Sequence, residues 1–269
     1  MSDSLSLNIH LICHNKGRTI TMEPLKRSFQ ASPIDTDYLN QGCYRCRASN
    51  YCLPALCVHN NNQTDPMVRL VDRKRIFNPH ESLCYKSQPL KYLFAVHSGS
   101  CKASYVDHSG REHVTNFFYP GDIIGLESIF FHEHLVDIVA LETSHICYIS
   151  LDRFKELHRQ SAEIRTQLVN FLSHQLWQLY SMQGSYTAEE QVVQFLLNLL
   201  HHAKIRGESA SVLRLSMGRH DIGSYLGLSS ETVSRVMTRL KKQRLISVER
   251  NVIELLNLSA LNMIANNED

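Results

Sequence analysis

One stretch of the chain decides its fold: Gly218-Arg219-His220-Asp221-Ile222-Gly223-Ser224-Tyr225-Leu226-Gly227-Leu228-Ser229-Ser230-Glu231-Thr232-Val233-Ser234-Arg235-Val236-Met237-Thr238-Arg239-Leu240. It predicts a short helix, a turn at Gly227, an N-cap at Ser229 and a second helix. The apolar residues of the second helix recur with a helical period and are predicted to face inward: Val233, Val236, Met237 and Leu240. Polar residues remain outside near its N-terminal end: Ser230, Glu231, Ser234 and Arg235. This pattern is typical of a helix-turn-helix.

The flanking segments extend this motif to a winged helix. On the C-terminal side, Leu245–Glu249 and Val252–Leu255 form a predicted hairpin across Arg250-Asn251. On the N-terminal side, Thr187-Ala188-Glu189-Glu190 has the form of a capping box and opens an amphipathic helix, which a short strand at Val212–Leu215 follows. We therefore predict a winged-helix domain over residues 186–269.

Basic charge is concentrated in this domain. The segment from Arg214 to Arg250 holds eight Lys or Arg and three Asp or Glu, a net +5, whereas the whole chain carries +2. A basic surplus on a helix-turn-helix favours contact with nucleic-acid phosphates. The alternative is a basic face that is merely solvated.

The preceding part of the chain has the pattern of a small β-domain. Between residues 67 and 151, short apolar runs are broken by turn residues such as Ser98-Gly99-Ser100 and Tyr119-Pro120-Gly121-Asp122. This spacing predicts an antiparallel β-barrel or jelly roll. Its clearest predicted strands are Leu93–Val96, Cys101–Val106, His113–Phe118 and Ile146–Ile149.

A long helix is predicted over residues 152–185. Its apolar residues Val169, Leu172, Leu176 and Leu179 alternate at spacings of three and four, which is the seam of a coiled coil. We predict that this seam is a dimer interface. The alternative is a helix that packs wholly against its own barrel.

Four cysteines lie close together in the predicted segment 37–66. Cys43, Cys46, Cys52 and Cys57 are separated by two, five and four residues. Thiolates at such spacings can share zinc or an iron-sulfur centre, whereas free, partly buried thiols are the alternative. Residues 1–36 are predicted to be a flexible extension, in which Cys13 is expected to be an exposed thiol without a role. The alternative is that Cys13 is a metal ligand.

Sequence patterns that direct a chain to a membrane are not found. The first residues lack the basic and long apolar regions of a signal peptide, and no run of about 18 apolar residues occurs. We expect a cytoplasmic protein with no membrane partner. In that compartment, eight cysteines favour metal or redox chemistry over disulfides.

Three features in combination resemble one family: the helix-turn-helix with Glu231, Ser234 and Arg235, the Tyr119-Pro120-Gly121-Asp122 turn, and the cysteine spacing. From Gly42 to Leu258, the chain resembles the FNR branch of the CRP/FNR superfamily of bacterial transcription regulators. The resemblance implies an α+β fold: an N-terminal antiparallel β-barrel like a cyclic-nucleotide-binding jelly roll, a long dimerisation helix and a C-terminal winged helix-turn-helix domain.

The resemblance also implies a mechanism. An oxygen-labile 4Fe-4S cluster would be held by Cys43, Cys46, Cys52 and Cys147, the last from the barrel. The homodimer would bind inverted repeats of TTGAT-type half-sites, act with RNA polymerase, and activate or repress anaerobic genes, without enzymatic activity. Oxygen would convert the cluster and release the dimer. The implied DNA-binding residues are Ser229, Ser230, Glu231, Thr232, Ser234, Arg235 and Arg239.

Other functions remain as alternatives. A zinc-bound, oxygen-independent regulator would use Cys57 in place of Cys147. An enzyme that uses the cluster for electron transfer is disfavoured, because nothing in the sequence resembles a flavin or dinucleotide site. Cyclic nucleotide binding is disfavoured because the region from Gly125 to Phe131 has no Arg-Ser pair for the phosphate. Leu179 departs from the family, since the best-known member carries an acidic residue there that opposes dimerisation.

Overall fold

The structure, a computed structural model, describes residues 71–160, 186–208 and 211–266, with Cys52 and a few residues elsewhere. Between 161 and 185 it describes helical residues 162, 165, 166, 168–170, 172, 173 and 176, and then the chain resumes at 186. The chain divides into two compact units, Met1–Asn40 and Gln41–Asp269. In the first unit, strand β1 (His14–Asn15) pairs antiparallel with β2 (Arg18–Thr19). The rest of the predicted extension lies outside the described residues, as do Cys43, Cys46, Cys57 and Leu179.

Eight strands of the second unit form two antiparallel sheets. They are β3 (Val71–Phe77), β4 (Ser82–Cys84), β5 (Tyr92–Ser98), β6 (Cys101–Val106), β7 (Glu112–Phe118), β8 (Ile123–Ile124), β9 (Asp137–Ala140) and β10 (Ser144–Ser150). One sheet has the order β3-β10-β5-β8 and the other β4-β9-β6-β7. All four strands predicted from the sequence are present, and β6 has the predicted bounds.

A tight turn between β5 and β6 requires glycine. Gly99 has a φ of +83°, which side-chain-bearing residues rarely adopt, and a Cβ there would lie 2.6 Å from the Ser144 Cα. Ser144 in turn donates its hydroxyl to the Ser100 carbonyl oxygen at 3.1 Å. The predicted turn at Ser98-Gly99-Ser100 therefore joins the two sheets at a point of close packing.

The inner faces of both sheets form one core, to which every one of the eight strands contributes. We call it the sheet core: Phe77, Cys84, Phe94, Val96, Cys101, Ala103, Phe118, Ile124, Ile138, Ala140, Ile146 and Tyr148. Within β10, Ile146 and Tyr148 point into this core, whereas Cys147 and Ile149 belong to a second cluster. Because successive strand residues face opposite sides, β10 is buried on both of its faces.

The second cluster covers the other face of the β3-β10-β5-β8 sheet. We call it the cysteine core: Cys52, Leu90, Leu93, Ala95, Ile123, Cys147, Ile149, Leu151, Phe154 and Leu168. Helix α1 (Leu151–Gln160) follows β10 directly and contributes Leu151 and Phe154. Leu168, from the helical stretch beyond α1, completes it.

The C-terminal part has the predicted winged-helix architecture. Its elements are α2 (Ala188–Ile205), β11 (Val212–Arg214), α3 (Arg219–Leu226), α4 (Ser230–Lys242), β12 (Ile246–Glu249), β13 (Val252–Leu255) and α5 (Leu258–Asn266). Thr187 and Glu190 form the predicted capping box of α2. The three strands pair in the order β11-β13-β12, so β12 and β13 are the wing.

Candidate functional site

The second helix of the motif, α4, is held at a fixed angle to α3 by the turn between them. Gly227 adopts a left-handed conformation at φ 69°, and the Thr232 backbone N–H donates to the Ser229 Oγ at 3.1 Å. Gly223 lies against this turn, because a Cβ at that position would be 2.7 Å from the Leu228 carbonyl oxygen. Sequence patterns pointed to Gly227 and Ser229 but not to Gly223. Glycine is required at position 223 only because α3 packs closely against the turn, which local sequence does not reveal.

The two faces of α4 match the predicted division. The predicted inward residues are all buried: Val233, Val236, Met237 and Leu240. On the other side, Glu231, Ser234, Arg235 and Arg239 are exposed, while Ser230 and Thr232 are partly exposed. The polar side of α4 is thus available at the surface while its apolar side forms the domain core.

The helix start makes Glu231 a fixed negative charge. A backbone N–H at the helix N-terminus and the hydroxyls of Ser229 and Ser230 hold the pKa of the Glu231 carboxyl below its ordinary value. Arg235 lies one turn further along the same face, and its positive charge acts in the same direction. An acceptor and a donor are therefore presented side by side, which is the pairing needed to contact cytosine and guanine edges.

Arg239 lies at the margin of this face. Its guanidinium donates to the Glu189 carboxylate at 2.8 Å, which ties α4 to the start of α2. A groove between the two helices is lined by Thr187, Ala188, Glu189, Thr232, Arg235, Val236 and Arg239. Arg239 is thus positioned as the edge of the predicted DNA-binding surface, with part of its charge already engaged.

Further basic residues continue from the end of α4 towards the wing. Lys241, Lys242, Arg244 and Arg250 are all exposed. Lys241 donates to the Val248 carbonyl oxygen of β12 at 3.3 Å, so its ammonium is near the wing. Six of the eight basic residues counted in the sequence therefore lie on α4, in the turn after it or in the wing.

Two of the four predicted metal ligands are described, and they belong to the same apolar cluster. Cys52 and Cys147 are 8% and 7% exposed and both lie in the cysteine core. Within the described part of the chain, no three Cys, His, Asp or Glu side chains form a metal site; the other predicted ligands, Cys43 and Cys46, lie outside that part. Two buried thiols in one water-poor cluster fit the donor set of an iron-sulfur centre.

The other two described thiols have a different environment. Cys84 and Cys101 lie in the sheet core, on the opposite side of the sheet from Cys147. Burial raises the pKa of each thiol to about 12. Both are therefore protonated at neutral pH, which makes them poor metal ligands.

The predicted dimer seam is exposed where the structure describes it. Val169, Leu172 and Leu176 are helical and 58%, 39% and 52% exposed, whereas Leu168 is buried in the cysteine core. One side of this helical stretch thus packs beside Cys52 and Cys147, and another side presents an apolar stripe. The last predicted seam residue, Leu179, lies outside the described residues.

The loop that would bind a cyclic-nucleotide phosphate offers no strong cation. The chain has no Lys or Arg between Gly125 and Val136. His134 is buried and stacks on Phe94 with ring centroids 5.8 Å apart, and burial lowers the pKa of its imidazole. A neutral histidine cannot pair with a phosphate as arginine does.

The β7 strand also contacts α3, which local sequence patterns did not predict. Lys102 of β6 donates to the Asp221 carboxylate of α3 at 2.8 Å, across 119 positions of the chain. The Val114 backbone N–H donates to the Ser224 Oγ at 2.9 Å. No periodicity or motif signals such a long-range pair.

Searching the described part of the chain, we find no helix long and apolar enough to span a membrane.

Two domain families match the chain. Residues 74–161 match the cyclic nucleotide-binding domain, and residues 190–264 match the Crp-like helix-turn-helix domain. The chain is 33% identical over 228 residues to electron transport regulator A of Shewanella oneidensis, covering 84% of this chain and 90% of that protein. It is 32% identical over 228 residues to the fumarate and nitrate reduction regulatory protein of Yersinia pestis, with coverage of 84% and 90%.

Among solved structures, FixK2 from Bradyrhizobium japonicum is similar, with a TM-score of 0.65 and 25% sequence identity, over 71% of this chain and 96% of that chain. The sequence relatives exceed 30% identity over most of both proteins, and the domain matches coincide with the two antiparallel sheets and the winged helix. The chain therefore belongs to the FNR type of the CRP/FNR family of DNA-binding transcription regulators.

Proposed function

We propose that this protein is an oxygen-responsive regulator of anaerobic genes, which binds a 4Fe-4S cluster and acts on DNA as a cytoplasmic homodimer. The observation that carries the proposal is the cysteine core, where Cys52, Cys147 and Leu168 of the helical stretch lie together. The name of the Yersinia pestis relative refers to fumarate and nitrate reduction, which agrees with control of anaerobic respiration. The role is regulatory rather than enzymatic.

The cluster would be held by Cys43, Cys46, Cys52 and Cys147. When bound, the cluster would supply an oxygen-labile centre and would join the N-terminal cysteine segment to β10 through Cys147. The burial of Cys147 and its common cluster with Cys52 favour this ligand set over one that uses Cys57. The apolar side chains around the two thiols limit access of water and leave the thiolates for the metal.

A change at the cysteines would reach the dimer interface through few residues. Leu168 packs in the cysteine core, and the next residue, Val169, belongs to the exposed stripe with Leu172 and Leu176. Reorganisation of the cysteine core would therefore shift or release the helix that carries the stripe. Exposed apolar side chains at this helical spacing favour pairing with a second copy of the helix.

The surface of α4 would read DNA. Arg235 can donate to guanine O6 and N7, Glu231 can accept from a cytosine amine, and Ser234 can contact a neighbouring thymine. The basic residues beyond them would contact phosphates: Lys241, Lys242, Arg244 and Arg250. A two-fold dimer would then bind inverted repeats of TTGAT-type half-sites and act with RNA polymerase bound nearby.

The ligand assignment is tested by spectroscopy of protein purified without oxygen. We expect visible absorption with about four irons and four sulfides per chain, and the loss of both in Cys52→Ser and Cys147→Ser. Cys84→Ser and Cys101→Ser are matched controls, since they remove buried thiols from the sheet core, and should load normally. A colourless zinc protein, or loss of the cluster in Cys57→Ser with normal loading of Cys147→Ser, would overturn the assignment.

The same samples test the oxygen response. Binding to an inverted-repeat duplex should be strong without oxygen and should weaken after exposure to air, as followed by a mobility shift. Equal binding before and after exposure, with the cluster lost, would contradict oxygen control.

A further inference from the structure

The winged-helix domain is attached to the β4-β9-β6-β7 sheet of the same chain by a set of specific contacts. The strand β7 is the outer strand of the β4-β9-β6-β7 sheet, and helix α3 lies against it. Val114 and Phe117 of β7 belong to the same apolar core as the interior of the winged helix. The Phe117 ring contacts the rings of Phe195 and Tyr225, with centroids 6.0 Å and 5.2 Å apart.

Ser224 completes the hydrogen bonding of the outer strand. Its Oγ accepts from the Val114 N–H at 2.9 Å and donates to the Glu112 carbonyl oxygen at 3.0 Å. Among the described strands, none pairs with this edge of β7, so one hydroxyl of α3 satisfies two backbone groups that a neighbouring strand would otherwise bond. An alanine at position 224 would leave both without this partner.

Lys102 joins the same helix through charge. Its Nζ lies 2.8 Å from the Asp221 Oδ1 and 2.9 Å from the Glu112 Oε1, and its side chain is only 14% exposed. The other oxygen of Asp221 accepts from the Gly218 N–H at the start of α3. Although burial alone lowers the pKa of Lys102, the hydrogen bonds to Asp221 and Glu112 raise it overall, so the ammonium stays charged.

These contacts leave the DNA-facing surface open. They use α3, whereas Glu231, Ser234 and Arg235 of α4 remain exposed. The attachment therefore leaves the α4 surface free to contact DNA, and it fixes the direction in which α4 points from the two β-sheets. In a two-fold dimer, that direction determines the distance between the two recognition helices.

We infer that Lys102 and Ser224 are positioning residues that set which half-site spacing this regulator accepts, because they hold α3 against β6 and β7. The inference rests on the proposed dimeric reading of inverted repeats. Without these polar contacts, each winged helix would be held by the apolar packing around Phe117 and by the chain that leads into α2. Apolar packing is not directional, so this connection would accept a wider range of separations. Spacing discrimination would then fall while recognition of one half-site would persist.

The test uses the full-length protein purified without oxygen and three duplexes. One carries two half-sites with centres about 10.5 base pairs apart, one has two base pairs added between them, and one has a single half-site. We expect wild type to prefer the first duplex to the second by about tenfold or more, and the double variant Lys102→Met/Ser224→Ala to prefer it by about twofold or less. Its affinity for the single half-site should be that of wild type.

Two variants control for general damage to the protein. Arg75→Ala breaks the Arg75–Glu81 ion pair, which does not involve the winged helix, and this variant should keep full spacing discrimination. Lys102→Arg retains the cation and should behave like wild type or nearly so. If the double variant folds poorly, Asp221→Asn removes the charge that faces Lys102 while keeping an oxygen for the Gly218 N–H, and it should show the same loss of discrimination.

If the variants that remove the contact still discriminate between the two spacings, the inference is overturned. An equal loss of affinity for the single half-site and for the full site would also overturn it. Hydrogen exchange separates this failure from failure of the proposed function, since it needs no DNA. The Val114 amide should exchange slowly in wild type and faster in Ser224→Ala; unchanged exchange would also overturn the inference. If the Val114 amide of the wild-type protein exchanges slowly but the protein binds no inverted repeat, the proposed function is overturned instead.

Discussion

At the scale of single residues, the surroundings of the four cysteines that the structure describes divide these thiols into two kinds. Cys147 and Ile146 are neighbours in β10, yet they face opposite sides of the sheet, one towards Cys52 and the other towards the sheet core. Cys84 and Cys101 lie on the inner side, where burial raises their thiol pKa and keeps them protonated. A strand that alternates in this way can place one thiol beside Cys52 on one face of the sheet while its neighbours pack in the sheet core on the other face.

The residues proposed to contact DNA divide in a similar way, into base-reading and phosphate-contacting residues, which predicts two kinds of mutational effect. Arg235→Ala should weaken binding to the specific duplex by about 1 to 3 kcal/mol and relax discrimination at one G·C pair. Lys242→Ala, the matched control at the end of α4, should weaken specific and random duplexes alike and reduce the salt slope by about 0.9. Fluorescence anisotropy titrations at several salt concentrations measure both. Equal losses for Arg235→Ala on specific and random DNA would refute base reading by this residue.

At the scale of elements, close packing of α3 on the turn predicts an unusual response to alanine. In an open helix, replacing glycine by alanine stabilises by about 1 kcal/mol. At Gly223 the new Cβ would lie 2.7 Å from a backbone oxygen, so the helices must separate. Gly223→Ala should therefore lower the free energy of unfolding by about 1 to 3 kcal/mol.

The measurement is urea unfolding of the full chain, followed by circular dichroism. His220→Ala, at an exposed position of the same helix, is the control and should be neutral or slightly stabilising. A Gly223→Ala protein as stable as wild type would mean that α3 and the turn have room to adjust.

The same elements show how far sequence patterns reach. The bounds of β6 and the buried face of α4 follow from local periodicity and were predicted correctly. Spacing alone would have chosen Cys57 as the fourth ligand, and only the family resemblance pointed to Cys147. The contact of Lys102 with Asp221 joins residues 119 positions apart and leaves no local signal, so only the packed structure reveals it.

At the scale of the whole molecule, the β-domain formed by the two sheets contacts other elements on two different sides. The cysteine core lies on the β3-β10-β5-β8 sheet and reaches the helix with the apolar stripe, whereas the winged helix is fastened to β7 of the other sheet. The proposed dimerisation and the proposed orientation of α4 would thus be governed through separate faces of the β-domain. Substitutions of Lys102 or Ser224 should leave dimerisation unchanged. Substitutions in the apolar stripe should leave the packing of each winged helix on β6 and β7 unchanged.

The last prediction concerns the apolar stripe and Leu179, where the family resemblance implies an acidic residue and this chain has leucine, a difference whose effect on dimerisation has a definite physical sign. Val169, Leu172 and Leu176 are exposed apolar residues of one helical stretch, and Leu179 continues their spacing. In a two-fold seam this position meets its own copy or a near neighbour, so an acidic residue there would bring like charges together. Leucine removes that repulsion and adds about 1.5 to 3 kcal/mol of apolar burial for each fully buried side chain.

We therefore expect the protein without its cluster to remain substantially dimeric, so that oxygen acts more through helix placement than through release of monomers. Leu179→Asp should make dimerisation depend strictly on the cluster, because only the loaded form would then hold the helices together against the repulsion. Sedimentation of the apoprotein at micromolar concentration measures this. Ile76→Asp, which places the same charge at an exposed apolar position of β3, should leave the dimer intact. A wholly monomeric apoprotein with Leu179 intact would contradict the expectation, since the added apolar burial would then be too small to replace the contribution of the cluster to the dimer.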